Sequence, residues 1–87
     1  MSDYEKKRLD AELKKFTNRN FELPSNCKSM EQIRFYVREL CLKIDEYQTR
    51  FNYVPEWAYS MLAQYNMVQN RMLLLNFQKA YHLRRAA

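Results

Sequence analysis

Apolar residues recur at helical spacing in three blocks, separated by two short interruptions that each contain a proline. The first block, from Ser2 to about Asn18, opens with Ser2 as a candidate N-cap and with Asp3 and Glu5 in the first turn, where the helix dipole favours carboxylates. Its apolar stripe of Leu9, Leu13 and Phe16 is narrow and its other faces are charged, so this helix must lie on something larger. The segment from Phe21 to Cys27 then breaks the period, because Pro24 lacks the donor that a helix interior needs and disfavours helix at Leu23. A long helix follows from a capping box of Ser29 and Gln32. Ile33, Val37, Leu40, Ile44, Tyr47 and Phe51 alternate steps of four and three, the seam of a helix packed lengthwise on another. After Asn52, Pro55 is placed as the first residue of a third helix that runs to about Leu83, roughly 40 Å at 1.5 Å per residue.

The inner seam of the third helix reads Ala58, Met61, Tyr65, Val68, Met72 and Leu75. Beyond Arg71 the helix is apolar on more than one face, with Leu73, Leu74, Phe77, Ala80, Tyr81 and Leu83 added to that seam. A hairpin partner covers one face only. Contiguous exposed apolar surface in so small a chain points to another copy as the cover, through Leu73, Leu74, Phe77 and Tyr81. The expected fold is all-α: a short charged N-terminal helix over residues 1–20 and a long antiparallel helical hairpin over 21–87, one domain overall, assembled as a homo-oligomer.

Composition narrows the function more than the fold. In 87 residues, 47% hydrophobic and 29% charged, there are thirteen aromatics and no glycine, which leaves no Gly-rich loop to cradle a phosphate and excludes P-loop and Rossmann nucleotide folds. Net charge is +5, spread as +2 over residues 1–20, zero over 21–50 and +3 over 51–87, with no basic block of the kind that marks a nucleic-acid groove. Cys27 lies in a connector and Cys41 in a helix, so both are expected as free thiols. Free thiols, an N-terminus without an apolar signal region and no run long enough to span a bilayer are expected of a cytoplasmic protein.

Catalytic chemistry finds no constellation. His82 is the only histidine, there is no HExxH or CxxC, and Glu39, Asp45 and Glu46 sit on a charged helix, so neither an enzyme nor a metal or cofactor site is expected. His82, Arg84 and Arg85 suit the negative end of the last helix. Binding residues cluster around the first connector. Arg34 and Arg38 project from one face, and Lys28 precedes a helix start whose free N–H groups attract anions. Phe21 either presents its ring to a nucleobase or is a staple tucked into the hairpin, and the arginines are either phosphate ligands or ordinary surface charges.

The run Ile33-Arg34, Arg38-Glu39-Leu40, Leu42 and Ile44-Asp45-Glu46, with Ala58, Ser60, Leu62, Gln64, Met67 and Asn70 in the next helix, resembles the hairpin of phage type-two anti-CBASS sponges and their anti-Thoeris relatives. The likeness covers about residues 21–71. It implies a non-enzymatic homo-oligomer, a hexamer, that sequesters cyclic di- and trinucleotide immune signals in the host bacterial cytoplasm, without membrane or specific DNA or RNA partners. It also implies a base-stacking aromatic before the hairpin and a basic residue near the start of its first helix, positions held here by Phe21 and Arg34. The family's usual residues there are Tyr and Lys, and its N-terminal helix and hairpin turn are shorter, which leaves the preferred cyclic nucleotide open. The rival reading is a phage host-takeover protein that inhibits one bacterial protein through its apolar C-terminal helix.

Overall fold

The computed structural model describes residues 2–86, with side chains described as far as Tyr81. The side chains of His82, Leu83, Arg84 and Arg85, expected to shape the end of the last helix, lie outside the described residues. Three helices make up the fold: α1 over Asp3–Asn20, α2 over Met30–Phe51 and α3 over Glu56–Ala86, with a 3₁₀ turn over Pro24–Asn26 between the first two. The described residues contain no strand.

Helix ends follow local chemistry. Ser2 accepts a hydrogen bond from the Glu5 N–H at 3.2 Å, and Ser29 accepts one from the Gln32 N–H at 3.1 Å. The reciprocal arm of the expected capping box is displaced by one residue, because the Gln32 Oε1 accepts from the N–H of Lys28 at 3.1 Å rather than from that of Ser29. At the far end of α2, Asn52 adopts the left-handed conformation at φ 50° and ψ 38°, tolerable for Asn, while its N–H closes the helix on the Gln48 carbonyl. Pro55 is buried just before α3, and its carbonyl accepts the Ala58 N–H at 3.1 Å.

The α2–α3 hairpin is antiparallel. Tyr47 clusters with Ala58 near the turn, the Tyr36 and Tyr65 rings meet midway at 5.6 Å, and Met30 shares a cleft with Leu75 at the open end. Ile33, Leu40, Tyr47, Ala58 and Tyr65 are buried along this seam, as their spacing predicts. Leu75 is not: it stays half exposed, because α3 is 31 residues long against 22 for α2 and outruns its partner. At 1.5 Å per residue the two helices measure about 46 and 33 Å, the first of them longer than the roughly 40 Å expected. The overhang contributes to a long axis of 63 Å.

α1 runs to Asn20, within the expected 1–20 segment and two residues past the block's end near Asn18, and lies against the turn half of the hairpin, antiparallel to α2. The Lys6 ammonium sits over the Tyr53 ring, and further along the Lys43 ammonium sits 4.7 Å from the Phe16 ring. Leu9 and Leu13 are buried with Tyr47 and Ala58, each such leucine contributing about 1.5 to 3 kcal/mol of hydrophobic stabilisation. Polar groups at this seam are paired. The Tyr47 hydroxyl donates to the Leu9 carbonyl at 3.4 Å, the Trp57 indole N–H donates to Asp10, and buried Thr17 donates to the Lys14 carbonyl at 3.1 Å. The charged N-terminal helix therefore shares a core with the hairpin. A second cluster at the open half contains Cys27, Ile33, Leu40 and Tyr65.

Candidate functional site

Helix periodicity aims Arg34, Phe35 and Arg38 away from the Ile33–Leu40 seam, and with Glu31 they line a shallow depression on the outer surface of α2. Both arginines are exposed, and among the described residues neither forms an ion pair; the two ion pairs found there use Glu46 with Lys43 and Arg50. Those two cations hold the Glu46 carboxyl below the ordinary range, chiefly through the Lys43 hydrogen bond. The Phe35 ring is 47% exposed between the arginines. It was missing from the candidate residues, although its position off the apolar seam of α2 is legible in the spacing. Two guanidinium groups one turn apart around an exposed ring can meet phosphate oxygens and stack on a planar base.

Phe21 stands elsewhere. Its ring is half-buried against Phe16, Tyr36 and Tyr65, at centroid distances of 5.6, 4.9 and 6.2 Å. Tyr36 and Arg34 are two residues apart on α2, about 200° around the helix, so one chain does not bring Phe21 and Arg34 to the same surface. Lys28 is also separate from the arginines. It lies across from Lys79 at a cleft of about 220 Å³ walled by Met30, Met72 and Leu75. Sequence neighbours around the connector are thus distributed over three surfaces.

Beneath the connector, the Tyr65 hydroxyl donates to the Glu22 carbonyl, and Glu22 in turn accepts from the Leu23 N–H at 3.4 Å and from Asn26 at 3.3 Å. Burial, more than the neighbouring Cys27, Tyr36 and Glu22, pushes the Tyr65 phenol well above its ordinary value; burial likewise raises Tyr47. Both hydroxyls stay protonated in the fold when the unfolded chain ionises, so their contribution is complete below about pH 10 and is lost as pH rises beyond it. Urea unfolding at stepwise alkaline pH is expected to give a constant midpoint up to about pH 8, a small decline as the buried Cys27 thiol ionises in the unfolded chain, and a steep fall above about pH 10. An alkaline limb unchanged in the Tyr65→Phe variant would remove Tyr65 as its cause.

Cys27 and Cys41 are both free, the first buried with its thiol donating to the Leu23 carbonyl at 3.4 Å, the second exposed on α2. Burial, then Glu22, pushes the Cys27 thiol up and lowers its thiolate fraction. A thiol reagent at neutral pH is expected to modify Cys41 at once, Cys27 only on unfolding, and both in denaturant; equal native rates by mass spectrometry would contradict this burial.

The proposed oligomer residues are exposed: Leu73, Leu74, Phe77 and Tyr81 by 46, 56, 69 and 51%. Among the described residues no group of three or more His, Cys, Asp or Glu gathers to hold a metal, and no helix is long and apolar enough to cross a membrane. Comparison with known protein families, with curated proteins and with solved structures gives no match for this chain.

Proposed function

We propose that the chain is a non-enzymatic binder of cyclic di- and trinucleotides, a sponge that removes an immune signal by stoichiometric capture in the bacterial cytoplasm. The observation that carries this reading is the Arg34–Phe35–Arg38 surface: two exposed guanidinium groups without carboxylate partners among the described residues, flanking an exposed ring. The resemblance of the α2–α3 hairpin to the sponge family supports the ligand class. Phosphates of the ring meet Arg34 and Arg38, and a base stacks on Phe35. Phe21, packed inward, acts from beneath as a support for Tyr36. Lys28 contributes to ligands that reach the connector. The homo-oligomer, a hexamer on the family likeness, uses the exposed Leu73, Leu74, Phe77 and Tyr81 face and multiplies the number of sites.

Thermal denaturation against 3′,3′-cyclic GMP-AMP, a cyclic triadenylate and linear dinucleotides tests the reading. A ligand that binds only the folded state raises the melting temperature, so one of the cyclic compounds is expected to do so and to be recovered chemically unchanged. Hydrolysed nucleotide would make the protein an enzyme. No shift with any cyclic nucleotide, together with stoichiometric co-purification of one host protein lost on truncating Leu74 and Phe77, would transfer the function to host takeover.

A further inference from the structure

Opposite the face of α3 that packs on α2 runs a stripe of exposed residues without a charge. Its midpoint is Asn70. Asn66 and Leu74 stand four residues to either side, Ala63 and Phe77 seven, and Tyr59 and Tyr81 eleven; all are exposed. At about 100° per residue these positions fall within an arc of roughly 80°, about 160° around the helix from the row of Ala58, Met61, Tyr65, Val68 and Met72 that faces α2.

We infer that this stripe is a self-complementary seam, and that its occupant is α3 of a second copy of this chain, laid antiparallel about a two-fold axis at Asn70. The inference deepens the assembly part of the reading above and does not depend on the ligand. Its first support is the fit of the residue types that such a contact pairs. A two-fold contact sets each position against its mirror: Ala63 meets Phe77, a methyl group against a large ring, while Tyr59 meets Tyr81 and Asn66 meets Leu74. Asn70 meets itself, and a carboxamide is self-complementary because it carries both donor and acceptor. Its second support is charge. The chain carries +5, so two copies repel wherever basic faces meet, yet from Trp57 to Asn70 there is no charged residue and the nearest cations, Arg71 and Lys79, point about 100° and 180° from the midline of the stripe. An anionic partner would need those cations at the contact; a second copy needs them away from it. Antiparallel docking also opposes the helix dipoles.

Sedimentation without nucleotide, combined with disulfide mapping in a Cys41→Ser background, tests the seam. The parent is expected to sediment at twice 10.7 kDa or an even multiple of it. On oxidation of the thiols by diamide, which takes up their two hydrogens, Asn70→Cys is expected to form a covalent dimer alone. Leu74→Cys should link poorly by itself and efficiently when mixed with Asn66→Cys. Ala63→Arg, at an exposed position, should keep the helical circular dichroism and weaken association by roughly tenfold or more. A parent that stays monomeric at micromolar concentration, an odd-numbered assembly, or Leu74→Cys linking alone as well as Asn70→Cys would each overturn the proposal. These outcomes are read without nucleotide, so failure of the seam and failure of the sponge reading are separate results.

Discussion

Replacing Tyr65 by Ala is expected to cost about 3 to 5 kcal/mol, the usual range for deleting a fully buried aromatic side chain. Tyr65 is the largest of the fully buried side chains, and it joins all parts of the open half: its ring faces Phe21 and Tyr36, and its hydroxyl holds the Glu22 carbonyl. A chain of this length has about 4 to 13 kcal/mol of stability in total, so the variant is expected to lose at least about a quarter of it, and all of it at the lower end of that range. Tyr65→Phe separates the two contributions, since it keeps the ring and removes one part-buried hydrogen bond, at a cost of about 0.5 to 1.5 kcal/mol. Urea titration followed by circular dichroism at 222 nm measures both. A Tyr65→Ala midpoint within error of the parent would mean that the connector is not anchored through this residue.

Removing both arginines of the α2 surface is expected to produce the largest functional loss. A charge-assisted hydrogen bond is worth about 1.5 to 3 kcal/mol, so Arg34→Ala alone should weaken cyclic-nucleotide binding by roughly ten- to a hundredfold, and the Arg34→Ala/Arg38→Ala pair by more. Stability should not change, because both side chains are exposed and make no ion pair among the described residues. Phe35→Ala should cost binding about 1 to 3 kcal/mol if its ring stacks on a base. Phe21→Ala behaves differently on this geometry: it removes a ring packed between Phe16, Tyr36 and Tyr65, so the melting temperature falls first. Calorimetric titration beside thermal melts distinguishes the two positions. If Phe21→Ala abolished binding with an unchanged melt while the Arg34, Phe35 and Arg38 variants bound normally, the ligand surface would lie at the connector instead.

The sequence by itself determined the helices and most of their inward faces, because the information is local. Caps at Ser2 and Ser29, the prolines at 24 and 55 and the four–three spacing of Ile33 through Tyr47 each act within one or two turns of chain, and the structure keeps all of them. Tertiary structure decided which residues near in sequence share a surface. Phe21, Lys28 and Arg34 lie within fourteen positions of one another, yet the connector reverses the chain direction and α2 separates side chains by 100° per residue, so they face a core, a cleft beside α3 and open solvent. The same holds for Leu75, whose spacing fits the inner seam but whose burial depended on where α2 begins opposite it. Periodicity names the face of a helix that wants cover; only packing across distant segments fixes how far along the helix that cover extends.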